Sequence, residues 1–176
     1  MADYAEQSIA QTWYNLRFVI YGIIALLLSV VHVVFLNLVS VGGITPDLLI
    51  ILVVWIAIRE GQFIGILAGF GCGLLFDIVS LDVLGTNALA KTFAGFAAGY
   101  FFKEKNNELT LGSLKFIFAV IICAFIHNII YFFFYLRPTE INFSGFFFRY
   151  GVASTLYTTV AALFPMLVKS RNTAIR

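Results

Sequence analysis

GILAGFGCGLLFD (residues 65–77) and KTFAGFAAG (residues 91–99), joined by a short loop from Ile78 to Gly85, decide how this chain is read. Gly65, Gly69 and Gly73 recur at every fourth position, and Asp77 follows at the same interval. Lys91, Gly95 and Gly99 repeat the pattern in the opposite sense. Residues four apart share one face of a helix, so each segment offers a glycine stripe ending in a charge. Folded as an antiparallel hairpin, the two stripes meet and both charges fall near the loop. Asp77 and Lys91 are therefore the expected ion pair. The simpler reading of that pair is a packing bond between two helices, since small-residue stripes in membranes bring backbones close. The functional reading is a charged contact for a partner helix or a ligand.

The rest of the composition sets the solvent. Of 176 residues, 61% are hydrophobic and 11% charged, and the mean hydropathy is +0.98. So little polar surface cannot cover a water-soluble domain of this length, which makes the chain an integral membrane protein. Residues 1–176 are expected to form a single six-helix membrane domain. Its polar parts are an interfacial arm (1–16), the loops Lys103–Thr110 and Arg137–Asn142, and a tail from Lys169 (169–176). The net charge of +2 sits at helix ends rather than on a stripe, so no nucleic-acid surface is indicated. Cys72 and Cys123 both lie in apolar runs and read as packed thiols.

Met1–Leu16 lacks the basic start and cleavage site of a signal peptide. Ala5, Ile9, Trp13 and Leu16 fall at helical spacing, which suits a short helix on the membrane surface; a frayed arm fits equally well. Six apolar segments follow: Phe18–Val39, Ile44–Ile58, Phe63–Val79, Gly85–Phe102, Gly112–Tyr135 and Gly145–Val168. The second is short, roughly 22 Å at 1.5 Å per residue. Pro46 and Asp47 suit its first turn. With both termini cytoplasmic, the inner side receives Arg17, Arg59, Lys103, Lys105, Lys115, Lys169, Arg171 and Arg176, eight of the eleven bases. Lys91, Arg137 and Arg149 stay outside, a positive-inside distribution that favours six crossings.

In that orientation Asp47, Asp77, Lys91, His127, Asn128 and Arg149 form a polar cluster in the outer half of the membrane, with His32 and Asn37 nearby. A polar vestibule open to the outer face, above an apolar floor, is the expected consequence. Asp82 reads as a solvated loop acid, and Arg149 could snorkel outward or meet Glu140 or Asp82. Tyr131–Tyr135, Phe143 and Phe146–Phe148 read as an outer aromatic belt. The two histidines stand on different helices without acidic or cysteine neighbours at ligand spacing, so no metal site is expected. Neither a nucleophile–base signature nor a phosphate-cradling loop is present, and no catalytic residue or cofactor is assigned.

At Pro46-Asp47-Leu48-Leu49, Arg59-Glu60-Gly61, and then residues 73–80, 84–90 and 95–99, the chain resembles the rod shape-determining membrane protein MreD family. The resemblance implies a non-enzymatic inner-membrane scaffold subunit of the bacterial cell-elongation machinery, which builds lateral peptidoglycan. It also implies partners: an MreC-like single-span protein, and indirectly the MreB cytoskeleton and a glycosyltransferase–transpeptidase pair. The family is similar in architecture to the six-helix substrate-binding subunits of energy-coupling vitamin transporters. Pro46, Asp47, Asp77 and Gly85 match positions associated with the family, whereas Lys91 does not. Gly65, Gly69, Gly73, Gly95 and Gly99 are the expected helix-packing and partner-contact residues, with membrane lipids around them. The alternative function is a small-molecule or lipid-binding transporter subunit that uses the outer cavity.

Overall fold

The computed structural model describes residues 2–40, 42–136 and 143–174, with side chains described between 15 and 171 except at 37 and 39. Within them the chain is helical: α1 (Ala2–Phe35) with a 3-10 turn (Leu36–Val39), α2 (Leu48–Glu60), α3 (Gln62–Ser80), α4 (Thr86–Gly99), α5 (Asn107–Leu111), α6 (Leu114–Leu136), α7 (Phe143–Phe146), a π turn (Phe147–Gly151) and α8 (Val152–Ala174). The arm expected to be separate is continuous with the first apolar segment in one 34-residue helix. The side chains of residues 1–14 of the arm, the Arg137–Asn142 loop with its Glu140, and the side chain of Asn37 lie outside the described residues.

The 13-residue α2 is the central post. Leu49, Ile50, Val53, Val54, Ala57 and Ile58 are all fully buried and Leu48 and Trp55 partly so, as suits a helix apolar nearly all round. It begins four residues later than the expected Ile44, because Asp47 takes the N-cap position and accepts from the Leu49 and Ile50 amides at 3.0 and 3.1 Å. It ends at Gly61, whose φ of +101° lets a single residue turn the chain into α3.

Among the described residues, four segments are long and apolar enough to cross a membrane: Asn15–Phe35, Gln62–Ser80, Leu114–Leu136 and Phe143–Arg171. The 13 residues of α2 and 14 of α4 reach only about 20 Å each, short of the ~30 Å hydrocarbon thickness. Two of the six expected spans are therefore short: α2 is packed within the bundle, whereas α4 buries one face and turns Leu89, Phe93 and Phe96 outward. Large side chains on the other helices face outward, among them Leu27, Phe63, Phe118 and Phe164. Such a surface belongs in lipid.

α1 is the most outlying helix, with 11% of its apolar window buried. A polar knot near the beginning of its apolar segment holds it to α2: the Tyr21 hydroxyl donates to Glu60 at 2.8 Å, and Arg17 and Arg59 each stand 3.5 Å from the same carboxylate oxygen. At the same end, the loop expected between the fourth and fifth segments contains α5. It is anchored by the buried Leu111, by a hydrogen bond from Asn107 to the Arg59 carbonyl, and by an ion pair between Glu108 and Lys169.

Candidate functional site

The α3–α4 clasp comes first, because it positions everything else. A Cβ added at Gly69 would fall on the Lys91 carbonyl, and one at Gly73 on the Asn87–Ala88 backbone. At Gly95 it would meet the Gly65 carbonyl, and at Gly99 the side chain of Gln62. Gly65 faces both Gly95 and Ala57 of α2. The two stripes therefore meet each other along the whole hairpin. This placement also means that the stripes are already covered within the chain and offer no free surface to a partner.

The charges at the loop end do not pair as the spacing suggests. Asp77 is 1% exposed and turns toward the start of α4, accepting from the amides of Gly85, Asn87 and Ala88 at 2.8, 3.2 and 3.3 Å. The N-cap position of α4 is Gly85, which has no side chain to offer, so the acid that caps it comes from the preceding helix. Lys91 lies on the second turn of α4 and points to the other side. Its fully buried Nζ sits 2.8 Å from Asp47 Oδ2, 3.0 Å from Asn87 Oδ1 and 5.1 Å from the Phe76 ring centroid. The expected Asp77–Lys91 pair is thus replaced by Asp47–Lys91, because three unpaired amides claim Asp77 first.

Asp47 joins four helices. One carboxylate oxygen caps α2, and the other holds Lys91 of α4 and faces His127 Nε2 of α6 at 3.5 Å. Its backbone amide donates to Thr158 of α8 at 2.9 Å. Asn128, one residue beyond His127, donates to the Gly151 carbonyl at 3.0 Å and to Thr155 at 2.9 Å. That bond ties α6 to the π turn, where the regular carbonyl partners are displaced. His127 stacks on Tyr131 at 5.8 Å, and Tyr131 stacks in turn on Tyr135 at 5.6 Å.

Two further assignments change. Asp82 is not simply solvated: it accepts from the Tyr131 hydroxyl at 2.7 Å and fastens the α3–α4 loop to α6. Arg149 does not join the cluster. It is exposed on the π turn, with its guanidinium 5.6 Å from the Tyr150 ring. Asn87, absent from the expected cluster, stands four residues before Lys91, a helical contact spacing. No periodicity marked Thr155 or Thr158.

Above this polar core lies a cavity of about 320 Å³, with Asp47, Asn87 and His127 at its base and Tyr131, Tyr135 and Tyr150 among its walls. The Nδ1 atoms of His127 and His32 are buried without a hydrogen-bond partner. Among the described residues, no group of three His, Cys, Asp or Glu side chains could hold a metal, and Cys72 and Cys123 are free, buried thiols.

The fold and the site define a helical membrane protein whose buried charges join helices to one another. The family model of the rod shape-determining protein MreD matches residues 12–170 of the 176. The chain belongs to that family, which ties it to the determination of rod shape. No curated protein and no solved structure matches it.

Proposed function

We propose that this chain is a non-enzymatic scaffold of the cell-elongation machinery in the bacterial inner membrane. In this reading both termini are cytoplasmic, and α2 and α4 complete six passes. It docks an MreC-like single-span helix and, through it, the MreB cytoskeleton and the glycosyltransferase–transpeptidase pair. The observation that carries the docking reading is an open groove of about 460 Å³ between α1 and α3, with small residues at Gly22, Ala25, Ala68 and Gly71. A Cβ added at Gly22 or Gly71 meets nothing within 4 Å, unlike one at the clasp glycines. Small residues let a second helix approach closely without deforming the host.

The test is co-purification with the single-span partner from native membranes. Gly22→Leu and Gly71→Leu are expected to insert and melt like the parent while retaining at least about tenfold less partner. That loss corresponds to about 1.4 kcal/mol, well within what a filled groove removes. Undiminished partner recovery with both variants would contradict the docking face.

A second reading is a small-molecule or lipid-binding subunit of a transporter, supported by the outer cavity over Asp47 and His127. Mass spectrometry of the gently purified protein separates the two. A stoichiometric polar small molecule, lost on Tyr131→Ala, would favour the transporter reading; its absence favours the scaffold.

A further inference from the structure

We infer that the basic end of the bundle holds an anionic phospholipid, with its phosphate between Lys103 and Lys115 and an acyl chain on the adjoining aromatic groove. Two cavities meet there. One, of about 520 Å³, is polar and lined by Lys103, Asn106, Thr110, Ser113, Lys115 and Ser170. The other, of about 360 Å³, shares Lys103, Thr110 and Lys115 with the first and is otherwise walled by Tyr100, Phe101, Leu114 and Phe118. A polar chamber opening into an apolar one through a shared pair of lysines matches a molecule with a charged head and a hydrocarbon tail.

The charges at this end favour the same ligand. Lys91 is paired with Asp47 and Lys169 with Glu108, whereas neither Lys103 nor Lys115 has an ion-pair partner among the described residues. Glu104 lines neither cavity, and Glu108 is held by Lys169. The hydroxyl protons of Thr110 and Ser113 are given to the carbonyls of Asn106 and Thr110. Binding an anion therefore falls mainly to the two ammonium groups. Tyr100, Leu114 and Phe118 are 71%, 76% and 57% exposed, an apolar strip beside the lysines along which an acyl chain can lie. Basic pockets of this kind beside membrane helices recognise lipid phosphates, and each lysine contributes roughly a fivefold gain in affinity near such a surface.

The experiment is native mass spectrometry on the delipidated full chain, reloaded with phosphatidylglycerol or with phosphatidylcholine of identical acyl chains. Phosphatidylglycerol should be retained at least about fivefold better, and Lys103→Gln with Lys115→Gln should reduce its retention by roughly 25-fold toward the phosphatidylcholine level. Both side chains are exposed, so the variants should melt like the parent in lipid-free detergent; should the double variant not fold, each single variant is read alone. Phe118→Asn should weaken both lipids. Equal retention of the two lipids, or unchanged retention in the lysine variants, would overturn the site. Inorganic phosphate that displaces phosphatidylglycerol at equal concentration would overturn the lipid as the source of the anion. Displacement only at a large excess would support it.

Discussion

Lys91→Met is expected to lower the stability of the purified protein by about 3–5 kcal/mol, because it strips the Asp47 carboxylate of its ammonium partner where four helices meet. Asp47→Asn should be comparably harmful. An asparagine can still cap α2, but the fully buried ammonium of Lys91 then keeps only Asn87 and the face of Phe76. The combined Asp47→Asn, Lys91→Met protein should regain part of the loss, since a matched apolar replacement removes the desolvation cost of both ions. A double-mutant cycle in detergent, read by thermal unfolding, measures the coupling. Additive losses would show that the two side chains do not depend on each other. Asp77→Asn serves as the contrast. It should weaken the cap of α4 without coupling to Lys91, because its carboxylate accepts from amides of the α4 start while Lys91 pairs with Asp47.

Gly69→Leu and Gly73→Leu are expected to be among the most damaging single changes outside that pair. In each case the first added carbon meets backbone of α4 rather than the end of a flexible side chain, so the helices must separate. Overpacking usually costs about 1–3 kcal/mol, and contact with a carbonyl that cannot move puts these sites at or above the upper end. The separation would also pull Lys91 away from Asp47, since Gly69 packs against the carbonyl of Lys91 itself. Loss of a monodisperse peak in size-exclusion chromatography is the expected readout. Gly71→Leu, two residues away on the same helix, should be neutral by that measure.

This contrast shows what the sequence could reveal. Glycine at every fourth position on two neighbouring segments is a local signal, and it marked the clasp because close backbone contact needs that residue at that interval. Four long apolar runs were equally plain, since crossing hydrocarbon demands length. The segments of α2 and α4 were legible too, but their helices are shorter than the apolar runs that hold them. Counting basic residues orders the loops but does not give the length of the helix between them. The partner of Lys91 was also hidden. Asp77 is near in sequence and Asp47 is distant, and the choice depends on which acid the unpaired amides of α4 occupy. Helix caps at Gly85 and Asp47 settle it, and their side-chain geometry appears only once the hairpin is folded. Arg149 was grouped with the cluster on depth alone, yet the π turn carries it outward.

In the proposed reading the clasp and the Asp47 junction hold a rigid bundle, and a partner helix lies in the groove between α1 and α3. In-cell photo-crosslinking from single probe residues tests it most directly. Probes at positions 22 and 71, where a side chain meets open space, should give an adduct with the single-span partner, whereas a probe at the lipid-facing position 118 should not. Adducts from position 118 with none from 22 or 71 would place the partner elsewhere and contradict the account.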